Sequence, residues 1–164
     1  MMHYHATPED HAVLEKKGFL LVDSGATYMD GTTDITRTYP LGPLTEDEKR
    51  FYTWTLQSHI DLAKAVWLDY CECKMIDTIA REPLWRHLIN YRCGTGHSVS
   101  FVGNVHEGPH ALNSRNTTRM RPGMVVTDEP GVYETDSWAS ASRTSWCACT
   151  RPITSTVPSL ALNR

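Results

Sequence analysis

No stretch of this 164-residue chain approaches the roughly 20 apolar residues that a membrane span needs. Its start, Met1-Met2-His3-Tyr4-His5, lacks a basic segment followed by an apolar run, so no secretion signal is expected there. Basic blocks are missing too: Lys+Arg 16 against Asp+Glu 19 leaves a formal net charge of -3, without the electrostatic footprint that nucleic acid or an anionic membrane requires. The expectation is a soluble, cytoplasmic protein with neither of those partners. Cysteine is odd in number. The five include the pairs Cys71/Cys73 and Cys147/Cys149, but no Cys-x-x-Cys or paired-histidine spacing completes a tetrahedral zinc set, and reduced cytosolic thiols are expected. No internal repeat is visible.

What remains suits one globular domain with an ordinary core, at 40% hydrophobic and 21% charged residues. Gly18-Phe-Leu-Leu-Val-Asp23 is an apolar run that reads as a buried strand, and Thr32 to Thr38 is rich in β-branched residues. Asp30-Gly31 between them signals a hairpin turn. Thr45 and Glu48 form a capping-box pattern, so a helix is expected to begin after Thr45, with Tyr52, Leu56, Ile60, Ala63 and Trp67 as its apolar face. A second helical segment is expected from about Met75 to Arg81, with Pro83 starting a further turn that carries Leu84, Trp85 and Leu88 and stops at Gly94. Pro122-Gly123 reads as a turn feeding a strand that delivers Glu129.

Asp23 and Asp34 lie on the two arms of the hairpin. A turn centred on Asp30-Gly31 pairs position 27 with 34 and 23 with 38, which puts both carboxylates on one face. The four-residue offset is about 13 Å at ~3.3 Å per residue, too far to share metals, so a bend or bulge at Gly25 or Gly31 is expected. Two carboxylates on a largely apolar face repel and lose hydration unless cations or protons compensate. In Cys93-Gly-Thr-Gly-His97, glycines flank a histidine able to present a ring nitrogen, and Glu129 offers a hard oxygen. One imidazole with several carboxylates suits manganese, cobalt or zinc better than a thiolate-type site does.

The chain resembles the Xaa-Pro aminopeptidases (aminopeptidase P) among the pita-bread metallopeptidases. The resemblance rests on Leu21-Val-Asp-Ser-Gly-Ala-Thr-Tyr28, Thr33-Asp-Ile-Thr-Arg-Thr38, Ala80-Arg-Glu-Pro-Leu-Trp85, Gly94-Thr-Gly-His97, Asn104-Val-His-Glu-Gly-Pro109 and Glu129-Pro-Gly-Val-Tyr133. It implies an α+β fold, with residues 1–138 as part of a pita-bread catalytic domain. It also implies two divalent ions, manganese first and cobalt or zinc next. Asp23 would hold one, Asp34 would bridge both, and His97 with Glu129 would hold the second. A two-metal-activated hydroxide would release the N-terminal residue from peptides with proline at the second position. His106 looks like the histidine that steadies the substrate carbonyl, and His3 like one lining the substrate pocket. Cys93 stands where the family usually has a substrate-contacting histidine. Arg37 is read as a structural ion-pair partner. A family homodimer is the implied assembly.

Departures accompany the likeness. The familiar glycines after His97 are Ser98 and Ser100 here. A fifth ligand, a glutamate in a Gly-Ile-Arg-Ile-Glu-Asn strand, is replaced by Arg143, which is expected to weaken metal binding and to leave activity low. The segment Ala139-Ser-Ala-Ser-Arg-Thr-Ser-Trp-Cys-Ala148 has a codon choice that, with one G placed in front, re-reads as Gly-Ile-Arg-Ile-Glu-Asn-Ile-Val-Val-Cys. Residues 139–164 are therefore expected to be an out-of-frame, disordered tail. The family's N-terminal domain and opening helices are also expected to be missing. The competing expectations are a catalytically silent pita-bread binding module, a nonfunctional fragment, and a prolidase- or creatinase-like hydrolase.

Overall fold

Two ten-residue strands, β1 (Phe19–Tyr28) and β2 (Gly31–Pro40), form an antiparallel hairpin in this computed structural model, which describes residues 5–133 and the backbone of Ser142–Arg143. Their register corrects the expected one. Tyr28 pairs with Gly31, so the loop is Met29-Asp30, and Asp23 faces Thr36 while Gly25 faces Asp34. A primed turn on Asp30-Gly31 would need a positive φ at Asp30, and Leu88 is the only described non-glycine residue with one. Gly31 therefore joins the ladder. The unbroken pairing has no bulge. The two carboxylates still share a face, as the parity predicts, but become diagonal neighbours on adjacent strands, about 7–8 Å apart at Cα.

Helix α1 spans Glu46–Lys64, and the capping box forms: the Glu48 amide donates to Thr45 Oγ1 at 3.2 Å, and the Thr45 amide donates to Glu48 Oε2 at 2.7 Å. The buried stripe differs from the expected apolar one. Thr55, Ser58, His59 and Leu62 are buried, whereas Ile60 is 37% exposed. Polar residues can occupy that face because their groups are met: Thr55 Oγ1 donates to Phe51 O, Ser58 Oγ to Ala80 O, and His59 faces Asp128. Helix α2 runs unbroken from Cys73 to Trp85 with Pro83 inside it, so the separate turn expected after Pro83 does not form. It ends at Arg86 rather than at Gly94, and Leu88, at φ 59, is 98% exposed.

Two short strand pairs complete the described framework: β3 (Gly96–His97) with β4 (Ala111–Leu112), and β5 (Gly131–Val132) with β6 (Ser142–Arg143), both antiparallel. One core cluster joins Leu62 of α1 to Cys73, Ile76 and Ala80 of α2 and to Leu112 and Met120; the other joins Leu84, Tyr91 and Val132. Burying the leucine, isoleucine, valine and methionine side chains among them contributes roughly 1.5–3 kcal/mol each. Cys71, Cys73 and Cys93 are free thiols, with Cys73 in the first core. The hairpin is anchored by Phe19 stacked on Tyr52 at 5.4 Å and by Thr27 and Thr32 hydroxyls donating to Gly103 O and Phe101 O. None of the described helices is long and apolar enough to cross a membrane. Apart from the Ser142–Arg143 backbone, the expectation of a disordered 139–164 tail lies outside the described residues, as does His3.

Candidate metal centre

Three ligand-type side chains from three separate segments converge. His97 Nε2 lies 3.2 Å from Asp34 Oδ2 and 3.0 Å from Glu129 Oε1, and one donor atom from each residue falls within 4.8 Å of the others. The hairpin supplies Asp34, β3 supplies His97, and the extended segment after the Pro122-Gly123 turn supplies Glu129. That turn forms as expected: the Met124 amide donates to Arg121 O at 3.1 Å, with Gly123 at φ 88. Glu129 itself sits just outside a regular strand, tied instead by its amide to Thr95 O at 2.6 Å. Thr127 secures His97 from the same segment, its amide donating to His97 O at 2.9 Å and its Oγ1 accepting from the His97 amide at 3.0 Å. So close an approach requires glycine at 96, because a Cβ there would lie 1.9 Å from Thr127 O.

The electrostatics call for a cation. The Glu129 side chain is 3% exposed, Asp34 11% and His97 18%, so the charges are largely withdrawn from water. His97 Nδ1 lies 3.1 Å from Ser98 O, and since a carbonyl only accepts, Nδ1 carries the hydrogen. Nε2 is then the nitrogen aimed at the two carboxylates. Burial lowers the pKa of His97, but the hydrogen bonds to Asp34, Glu129 and Ser98 and the charge of Glu129 outweigh it and raise the value to about 10. A proton between an imidazole and two carboxylates holds the place that a divalent ion fits, and the nitrogen and oxygen donors suit a first-row metal.

His106 is exposed, with its ring edge-on to His97 at 4.0 Å, so it borders the cluster on the solvent side. Asp23 shares the hairpin face with Asp34 but is not among the converging donor atoms. Cys93 is half-buried against Leu84, Tyr91 and Val132, its Sγ 3.8 Å from Gly131 O. Arg37 donates to Thr36 O at 2.7 Å, and its side chain alternates to the other face of β2 from Asp34. Ser100, in place of a glycine, is absorbed by its own loop: Oγ donates to Asn104 O at 2.8 Å. Residues around the site that the sequence reading passed over are Thr95, Thr127, His59 and Asp128. Burial pushes the Asp128 carboxyl upward, His59, 2.9 Å away, opposes this, and Glu129 adds to it. Adjacency to a ligand was the available signal for Asp128; a partner distant in sequence left none for His59.

A half-buried imidazole, a half-buried carboxylate and a fully buried one, gathered by a hairpin and two extended segments, make a candidate site for a divalent ion. The model of metallopeptidase family M24 matches residues 1–150, and the chain belongs to that family. It is 44% identical over 135 residues to aminopeptidase P1 of Lotus japonicus, covering 82% of this chain and 20% of that protein. Among solved structures it resembles an X-prolyl aminopeptidase from Caenorhabditis elegans, described as a cytosolic enzyme with a di-nuclear active site. That likeness has a TM-score of 0.72 and 37% identity, over 77% of this chain and 20% of that one. It also resembles the prolidase from Pyrococcus furiosus, with a TM-score of 0.69 and 28% identity over 79% of this chain and 37% of that one. The fold is therefore α+β and of the pita-bread type. The chain spans about a fifth of the length of the curated relatives it matches.

Proposed function

We propose that this chain carries the metal centre of an Xaa-Pro aminopeptidase, acting in the cytosol on peptides with proline at the second position. The observation that carries this is the convergence of Asp34, His97 and Glu129 with the His97 tautomer set by Ser98 O. In this reading these three hold a divalent ion and Asp34 reaches a second, held by Asp23 two ladder positions away. Manganese is the first choice of metal. Bound divalent ions lower the pKa of water and stabilise the oxyanion that develops on attack at a peptide carbonyl. His106, exposed with its ring edge-on to His97, would donate to the substrate carbonyl and to that developing charge. His3 and Cys93 are further candidates for the substrate side. The names of the aminopeptidase P relatives support the substrate class, and the C. elegans enzyme supports two metals and a cytosolic setting.

Arg143 qualifies the reading. Its backbone pairs with Gly131, two residues beyond Glu129, and an arginine where the family resemblance implies a glutamate would bring no anionic donor to a metal. Weak metal binding and low turnover follow. Calorimetric titration with Mn²⁺, together with an assay for release of the N-terminal residue from an Xaa-Pro peptide, tests this. Measurable but weak binding that His97→Ala abolishes is expected; absence of any divalent binding by the intact chain overturns the assignment.

A further inference from the structure

Behind the metal centre lies a charge that the proposed chemistry does not use. Arg81, on α2, is 7% exposed, an expensive position for a guanidinium unless its donors are met. Nε pairs with Asp77 Oδ2 at 2.7 Å, one turn earlier on the helix. Nη1 donates to Tyr91 O at 2.7 Å and to Asn90 Oδ1 at 3.0 Å, while Nη2 donates to Cys93 O at 2.9 Å. The guanidinium also lies 4.1 Å from the centroid of the Tyr91 ring. The other Asp77 oxygen accepts from the Thr95 hydroxyl, which also meets Tyr91 OH.

Thr95 is where this network reaches the ligands. Its carbonyl accepts the Glu129 amide at 2.6 Å, and two residues further on stands His97, bonded to Thr127 through both its backbone groups. A buried ion pair needed only for packing would be replaceable by apolar residues of similar volume. Here the planar fork instead grips the backbone carbonyls of the segment that leads into the site.

We propose that Arg81, held by Asp77, is a positioning residue that sets the spacing of His97 and Glu129 through the 90–95 segment. The inference rests on the metal-centre reading for its purpose, though the grip itself is testable without metal. Amide exchange in the chelator-treated chain and Mn²⁺ titration are compared for the unaltered chain, Arg81→Met, Asp77→Asn and Leu62→Ala. Leu62→Ala removes core packing between α1 and α2 while leaving every hydrogen-bonding group of this network in place.

In Arg81→Met the Glu129 amide is expected to exchange at least about tenfold faster relative to α1 amides, and Mn²⁺ affinity to fall by about 10–100-fold. Leu62→Ala lowers thermal stability but keeps the Mn²⁺ affinity of the folded chain. Asp77→Asn follows Arg81→Met in direction and serves if the latter does not fold. Unchanged Glu129 exchange in either network variant overturns the inference, as does an equal loss of Mn²⁺ affinity in Leu62→Ala. If the unaltered chain binds no Mn²⁺, the metal-centre reading fails separately and the exchange comparison still decides the positioning claim.

Discussion

His97 keeps a proton at neutral pH in the metal-free chain, because Asp34 and Glu129 face its Nε2 and raise its pKa to about 10. A folded-state value above the ordinary 6.5 means that this group's contribution to stability is complete below about 6.5 and is lost as pH rises through about 10. Thermal unfolding in chelator should therefore lose stability across that interval, and His97→Gln should flatten the loss; an identical pH profile for the variant would contradict the assignment. Metal binding has the opposite slope, since the ion must displace that proton, so Mn²⁺ affinity should rise with pH over the same range. His97→Ala should weaken binding by more than the about 10–100-fold typical of losing an outer-shell partner. Three of the four expected donors converge: an imidazole between glycines, a strand aspartate and a carboxylate after a turn are a possible donor set whatever the fold, while Asp23 is not among the converging atoms. The Ser98 carbonyl that sets the tautomer was not legible in the sequence, because it depends on ring orientation rather than residue type.

At the scale of elements, local chemistry predicted well and register less so. The Thr45 capping box required only residues three apart, and it forms. Thr45→Ala should lower stability by about 1 kcal/mol, or roughly 3–6 °C in thermal denaturation, and leave Mn²⁺ affinity unaltered. The hairpin was legible as a hairpin, yet its register turned on the φ of Asp30, which composition does not dictate. Apolar spacing cannot reveal the buried stripe of α1, whose two hydroxyls and imidazole find partners on α1 itself, on α2 and beside Glu129. Gly96 was legible as permissive, but its reason is close approach to Thr127 O and not a positive φ. Gly96→Ala must push β3 away from that carbonyl. Loss of both thermal stability and Mn²⁺ binding is expected, whereas a variant that binds as the unaltered chain does would show the approach to be unnecessary.

For the molecule as a whole, β6 is the described element that follows Glu129 and β5 in the chain and pairs with β5. The strand pairs Arg143 with Gly131 and Ser142 with Val132, so the segment after Trp138 reaches the strand that follows Glu129. Re-reading residues 139–148 with one added base gives a glutamate at position 143, between isoleucine and asparagine, which exchanges a positive charge for a potential metal ligand. Replacing that segment with Gly-Ile-Arg-Ile-Glu-Asn-Ile-Val-Val-Cys should tighten Mn²⁺ binding by at least about tenfold, because a hard anionic donor replaces a charge that repels the ion. Arg143→Ala separates the two contributions: removing the repulsion alone should recover only part of the gain, and the remainder belongs to ligation. Calorimetry on the three chains reads both contributions. If the exchanged segment binds Mn²⁺ no better than Arg143 does, then β6 does not bear on the metal, and the weakness of the centre must arise within Asp23, Asp34, His97 and Glu129 themselves.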